Sequence, residues 1–194
     1  SLLSVRESSG IDILAEAGMK GRMVLDPVMI ETAGFWKKLA AKRKIRSEYV
    51  LVYQLNSSRS FDRYAEQAAE RLGKKLVRIC TRYDQILKNG RAVPVPTVEQ
   101  WISLFYYADL VITDSFHGTV FSILFQKEFI NLYPPLFSER LDSLLSMFGI
   151  EERHISDCSR FDILDKRIDY TKVNEILDEK RKESLEFIDE ILAG

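Results

Sequence analysis

The sequence contains little cysteine, histidine or glycine, and these scarcities exclude several kinds of site. Its 194 residues include two cysteines, two histidines and nine glycines. Cys80 and Cys158 lie far apart without a C-x-x-C spacing, so neither a metal site nor a disulfide framework is expected. The absence of Walker, G-x-G-x-x-G and G-x-S-x-G motifs argues against a standard ATP or NAD site and against a hydrolase nucleophile elbow. We therefore predict no metal and no cofactor.

Long apolar runs and an excess of charge of one sign are also missing. No stretch approaches the roughly 18–20 apolar residues that span a bilayer, so no transmembrane segment is expected. The chain has 28 basic and 29 acidic residues, and its net charge of −1 provides no general attraction to nucleic acid. Basic runs at residues 37–38 and 42–44 are interpreted as a solvated helix face.

Short apolar segments alternate with helical patterns along most of the chain. Residues 49–55 form a near-continuous apolar run, which is typical of a strand covered on both faces. Strands are predicted at residues 49–55, 76–80, 110–113 and 129–132, and residues 82–96 are predicted to form a loop. The alternation predicts an α/β fold, a Rossmann-like three-layer domain with a mostly parallel sheet.

The stretch ADLVITDSFHGTVFSILF at residues 108–125 places polar residues between two apolar runs. His117 is predicted in the first turn of a helix that follows a strand, where backbone N–H groups and the helix dipole favour an anion. Either Asp114 or Ser115 could cap that helix, and Gly118 would let a ligand approach the backbone. On local pattern alone, a structural histidine bonded to nearby backbone is an equally good reading. His154, among charged residues, is interpreted as a surface residue.

Other polar residues follow the predicted strands and could reach the same sheet edge. Asn56, Ser57 and Arg59 come after the strand at residues 49–55 and could bind a phosphate or a carboxylate. A helix cap in front of Phe61 explains the same segment at least as well. Arg140 could also reach this edge, with an exposed arginine at a helix start as the alternative.

Several motifs occur in the order found in one enzyme family. The segment PTVEQWISLFYYADLVITDSFHGTVFSILFQKEFINL at residues 96–132 resembles the core signature of polysaccharide pyruvyl transferases. SVRE at residues 4–7, VLDPV at 24–28 and RLDSLL at 140–145 match in the same order, and the C-terminal tail resembles the family's last helix. The resemblance covers most of the chain.

The resemblance implies one half of a GT-B fold, whose active site lies in a cleft between two Rossmann-like domains. It implies transfer of the enolpyruvyl group of phosphoenolpyruvate to two hydroxyls of a sugar, which gives a pyruvate ketal and phosphate. His117 falls on the family's active-site histidine. The neighbouring candidates for substrate binding are Ser115, Gly118, Thr119, Asn56, Ser57, Arg59 and Arg140.

The family chain is longer, so an N-terminal half is expected upstream of this sequence. Residues 1–34 would then be the last βα unit of that half or a linker, and residues 35–194 the C-terminal domain. The expected partners are phosphoenolpyruvate and a saccharide acceptor, which could be lipid-linked, in the cytoplasm or at the inner face of the membrane. Two alternatives remain: a GT-B glycosyltransferase that uses a nucleotide sugar, and a non-catalytic saccharide-binding module.

Overall fold

A computed structural model describes residues 3–133 and 139–193. Residues 1–2 of the expected N-terminal segment, and residues 134–138 and 194 of the expected C-terminal domain, lie outside the described part. The elements in chain order are β1 (Ser4–Val5), α1 (Ser8–Glu16), β2 (Arg22–Met23), α2 (Pro27–Ile30), α3 (Ala33–Leu39), β3 (Tyr49–Tyr53), α4 (Arg59–Arg71), β4 (Lys75–Cys80), α5 (Tyr83–Ile86), β5 (Arg91–Pro94), α6 (Val98–Tyr106), β6 (Leu110–Thr113), α7 (Phe116–Leu124), β7 (Glu128–Asn131), α8 (Glu139–Met147) and α9 (Tyr170–Ala193). Short 3-10 helices lie at Glu151–Arg153 and Asp162–Asp165.

The chain divides into two compact units. The helical unit comprises Ser1–Thr32, Leu136–Glu151 and Asp169–Gly194, and the sheet unit comprises Ala33–Pro135 and Glu152–Ile168, each as far as it is described. The sequence-based division placed its boundary at residues 34–35 and gave α9 to the larger domain. In the structure α9 belongs to the helical unit instead.

The physical reason lies in the buried side of α9. Its buried residues include Val173, Leu177 and Phe187. The hydroxyl of Ser184 accepts a hydrogen bond from the Leu25 N–H at 2.9 Å, and the Arg181 Nε donates to the Met29 carbonyl at 3.1 Å. The helical unit also contains a two-stranded parallel sheet of β1 and β2.

The sheet unit confirms the predicted α/β fold. Its five strands are all parallel and lie in the order β5-β4-β3-β6-β7. Tyr49, Val50, Leu51 and Val52 are at most 1% exposed, which explains the uninterrupted apolar run. The carboxyl ends of parallel strands share one edge, so the residues that follow β3, β6 and β7 are brought together there.

Three strands differ slightly from their predicted bounds, and one strand was missed. β3 ends at Tyr53 rather than at residue 55, β4 begins at Lys75 rather than at residue 76, and β7 begins and ends one residue earlier than expected. β5, which pairs with β4, lies within the predicted loop at residues 82–96. Its short length and Pro94 are tolerated because β5 is an edge strand, where proline is not required to donate to a neighbour.

No helix in the described parts of the chain is long and apolar enough to cross a membrane.

Candidate functional site

The turn between β6 and α7 is held by a set of short internal hydrogen bonds. The Thr113 hydroxyl donates to the Tyr53 carbonyl at 2.6 Å and accepts from the Ser115 N–H at 3.0 Å, so the end of β6 is tied to β3. The Ser115 hydroxyl accepts from the Gly118 N–H at 3.3 Å. Ser115 is therefore the residue that caps α7.

Gly118 lies against the strand rather than against open space. A Cβ at this position would be 2.5 Å from the Thr113 Oγ1 and 3.2 Å from the Thr113 Cβ. The sequence alone predicts that Gly118 lets a ligand approach the backbone. The structure gives an internal reason: only a glycine lets α7 pack this closely on the end of β6.

Thr119 is also part of the internal support. Its hydroxyl donates to the Ser115 carbonyl at 3.0 Å and accepts from the Asn131 side-chain amide at 2.7 Å. Thr119 is fully buried, and Ser115 is 3% exposed. The Ser115 and Thr119 side chains therefore stabilise the turn itself, and the turn forms a rigid support for His117.

His117 is the exposed residue of this turn. It is the second residue of α7, and its ring meets the edge of the Phe116 ring at a centroid distance of 5.5 Å. Its flanking residues Ser115, Gly118 and Thr119 are all buried. The fold thus presents an imidazole at the carboxyl edge of the sheet, at the amino end of a helix where anions are favoured.

Asp114 fixes the loop after β3. Its carboxylate accepts from the Leu55 N–H at 2.6 Å, the Asn56 N–H at 2.7 Å and the Asn56 side-chain amide at 3.1 Å. The side chain is 7% exposed, and three donors offset the cost of burying its charge. Asp114 therefore positions Asn56 rather than capping α7.

A cavity of about 490 Å³ opens beside this loop. Its walls are rich in hydroxyl groups, from Ser57, Ser58, Ser60 and Ser156, and also include Asn56, Asp114, Tyr133, His154 and Cys158. The Ser58 hydroxyl caps α4 by accepting from the Phe61 N–H at 3.3 Å, so the amino end of α4 lies at the cavity. Hydroxyls at a helix amino end suit a polyhydroxylated or anionic ligand.

His154 is a further candidate for the site, and no local pattern in the sequence marks it. Predicted to be a surface residue, it is half-buried and lines the cavity. Its ring stacks on Tyr133 at 3.9 Å with an interplanar angle of 11°, and the Ile155 N–H donates to the Asn131 carbonyl at 3.1 Å. The segment around His154 thus extends the sheet edge beyond β7.

The remaining predicted residues are distributed more widely. Asn56 and Ser57 line the cavity, while Arg59 is exposed at the first position of α4. Arg140 lies in the helical unit, where its Nε is 2.5 Å from a carboxylate oxygen of Glu7. Arg82 also reaches this edge of the sheet unit, because its guanidinium donates to the Leu55 carbonyl.

The part of the chain that the structure describes contains no group of three histidine, cysteine or acidic side chains placed to hold a metal ion.

The chain matches the model of a known family. The family model described as polysaccharide pyruvyl transferase matches residues 1–134 of the chain, which confirms the resemblance seen in the sequence. The comparison with curated proteins found no match.

A solved structure resembles the chain in fold. A protein from Listeria monocytogenes described as a UDP-N-acetylglucosamine 2-epimerase superposes with a TM-score of 0.55 and 12% identity, over 91% of this chain and 53% of that protein. The glycosyltransferase SnogD from Streptomyces nogalater gives a TM-score of 0.48 and 11% identity, over 75% and 41%. The chain thus spans about half the length of the first of these structures, and an identity of 12% concerns the fold alone.

Proposed function

The chain belongs to the polysaccharide pyruvyl transferase family, and on that premise we propose that it carries the catalytic histidine of a ketal-forming pyruvyl transferase. The donor would be phosphoenolpyruvate, and the acceptor would be two hydroxyls of a saccharide. The observation that supports this most is the exposure of His117 on a turn whose other polar residues are buried and internally bonded.

The reaction needs a proton at one carbon and the removal of protons from two hydroxyls. Protonation of the donor methylene carbon makes the adjacent carbon electrophilic, and one sugar hydroxyl bonds to that carbon. The bond between this carbon and the phosphate oxygen then breaks, and the second hydroxyl completes the ketal. Of the two hydroxyl protons, one balances the proton delivered to the new methyl group and the other leaves with the phosphate.

His117 is the group we assign to proton transfer. An imidazole both gives and takes protons near neutral pH, and a positioned acid or base contributes about 10²–10⁴-fold to a rate. The turn that holds it is rigid, and rigid positioning of the reacting group is a large part of catalysis. The amino end of α7 favours the phosphate or the carboxylate of the donor in the same place.

The remaining candidates are assigned according to their positions. Asn56 and Ser57 are proposed to bind substrate from the cavity wall, and Arg59 is proposed to attract the donor from the exposed start of α4. Ser115, Gly118 and Thr119 would act by shaping the turn. Arg140 pairs with Glu7 within the helical unit, and its assignment to the donor carboxylate stays a prediction from the sequence.

The acceptor is proposed to be a cell-surface saccharide or exopolysaccharide made in the cytoplasm. A second Rossmann-like domain is proposed to supply the other wall of the cleft.

Because the cleft would need both domains, the test is made on the full-length protein. Phosphate release from phosphoenolpyruvate is measured with and without an acceptor saccharide, and nucleotide release from nucleotide sugars is measured in parallel. Acceptor-dependent phosphate release supports the proposal. Turnover of a nucleotide sugar alone would identify a glycosyltransferase, and saccharide binding without any turnover would identify a binding module.

A further inference from the structure

The sheet unit has a strongly basic segment that the proposed chemistry does not use. Residues 33–46 contain six of the 28 basic residues of the chain and none of its 29 acidic residues. All six are exposed, namely Lys37, Lys38, Lys42, Arg43, Lys44 and Arg46. Together with two exposed apolar neighbours, Phe35 and Leu39, these residues are called the basic face. The chain is otherwise acidic, so this charge is concentrated in one place.

The basic face also presents apolar side chains. Phe35 and Leu39 are 40% and 43% exposed and lie four residues apart in α3, so they lie on the same side of the helix as Lys38. The Trp36 ring packs on Phe121 with a centroid distance of 5.2 Å, and it meets the Phe35 ring in a T-shaped contact at 5.1 Å. The inner side of α3 is thus satisfied by the core, whereas two large apolar side chains remain at the surface among lysines.

The loop after α3 is anchored to the sheet unit. The Ala41 N–H donates to the Glu99 carbonyl at 2.8 Å, and the Arg43 Nε donates to the Ile45 carbonyl at 2.8 Å. The Arg43 guanidinium also lies 5.1 Å from the centre of the Tyr107 ring. The loop backbone at Ala41 and the Arg43 charge are therefore held on the sheet unit.

Further cations and aromatic rings adjoin the basic face. Arg91 lines a cavity of about 240 Å³ together with Lys42 and Lys44. Tyr106 lies between two cations, with the Nζ atoms of Lys37 and Lys127 at 5.1 and 5.5 Å from its ring centre. Lysine and arginine beside tyrosine and exposed apolar groups form the usual composition of a surface that lies on a membrane.

Two acidic side chains beside Arg43 and Arg46 are already paired with another cation. Glu48 and Asp109 line the hollow next to Arg43 and Arg46. Both carboxylates pair with Lys74, at 3.6 and 3.0 Å from its Nζ, and Asp109 also accepts from the Tyr49 N–H at 2.9 Å.

We propose that the basic face docks the protein on a bilayer that contains anionic lipids, with the cations at the headgroups and the Phe35 and Leu39 side chains inserted at the boundary of the acyl chains. Exposed apolar side chains favour a bilayer over a soluble polyanion, because only a bilayer offers apolar volume next to its charge. The inference is independent of the proposed reaction.

The test is sedimentation of the full chain with vesicles of phosphatidylglycerol and phosphatidylcholine, compared with vesicles of phosphatidylcholine alone. We expect binding only to the anionic vesicles, and a marked decrease as salt is raised, because each cation near such a surface contributes a factor of about five and is screened by salt. Absence of binding to the anionic vesicles at low salt would overturn the proposal.

Charge-reversal variants locate the surface. The triple variant Lys38→Glu, Lys42→Glu and Lys44→Glu should bind at least about 100-fold more weakly, with its fold checked by circular dichroism. If that variant does not fold, the same three positions are changed to glutamine, and a loss of about 10-fold or more is expected.

A matched control changes the net charge equally at exposed lysines elsewhere. The variant Lys20→Glu, Lys172→Glu and Lys182→Glu should retain most of the binding. An equal loss in this control, or undiminished binding in the first triple variant, would overturn the proposal.

The double variant Phe35→Ser and Leu39→Ser separates a bilayer from other polyanions. It should lose about 10-fold or more of its vesicle binding while its retention on heparin stays unchanged. Unchanged vesicle binding by this variant would mean that the basic face recognises polyanions in general, and the membrane assignment would be wrong.

Discussion

Replacing Gly118 with alanine tests whether the support of the candidate site depends on the close approach of α7 to β6. The new Cβ would lie 2.5 Å from the Thr113 Oγ1 and 3.2 Å from the Thr113 Cγ2. The Thr113 side chain cannot rotate away without losing its hydrogen bonds to the Tyr53 carbonyl and the Ser115 N–H. Overpacking costs about 1–3 kcal/mol and a lost hydrogen bond about 0.5–1.5 kcal/mol, against a helix-propensity gain of about 1 kcal/mol for alanine.

The net expectation for Gly118→Ala is a destabilisation of about 1–3 kcal/mol, and each kcal/mol lowers Tm by about 2–4 °C in a chain of this size. Urea unfolding and a thermal scan measure it. In a double-mutant cycle with Thr113→Ala, the combined loss should be smaller than the sum of the single losses by about 1 kcal/mol, because the second change removes the atoms that clash. A Gly118→Ala variant as stable as the wild type, or strictly additive losses, would refute this explanation of the glycine.

Two further predictions concern chemical accessibility and pH. Cys158 lines the 490 Å³ cavity, whereas Cys80 is buried and burial raises the pKa of its thiol, so a thiol reagent should label Cys158 first. Phosphoenolpyruvate should slow the labelling of Cys158 if it occupies the cavity. Simultaneous labelling of both thiols in the folded protein would contradict this. Hydrogen bonds from Arg160 and Lys166 lower the pKa of Asp162 to about 2. The contribution of the Asp162 carboxylate to stability is therefore present above its unfolded pKa near 4 and is lost as the pH falls towards 2. NMR titration of the Asp162 carboxyl should show the low pKa, and Arg160→Gln should raise that pKa.

The sequence predicted the elements whose patterns are local. The apolar runs predict β6 with its observed bounds and β4 to within one residue, and the polar residues after β6 are correctly placed at the carboxyl edge of the sheet. Thr97 and Gln100 form a capping box at the start of α6, as their spacing predicts.

What escaped prediction depends on contacts between distant segments. β5 is a four-residue strand that exists because β4 offers it a partner. His154 reaches the cavity because its segment extends the edge of β7, more than 20 residues earlier in the chain, and no local signal marks this. A pattern also cannot tell which side of Gly118 is crowded, so the contact with Thr113 became visible only in the structure.

The most direct test of the proposed function compares stability and turnover of His117→Ala in the full-length protein. Because His117 is exposed, its replacement should change the free energy of unfolding by no more than about 0.5 kcal/mol. Acceptor-dependent phosphate release from phosphoenolpyruvate should fall roughly 100-fold or more, and His117→Gln should be similarly impaired if proton transfer rather than hydrogen bonding is what the ring supplies. If His117→Ala instead unfolds the domain while the folded fraction keeps its specific activity, His117 is a structural residue and the proposed site is wrong.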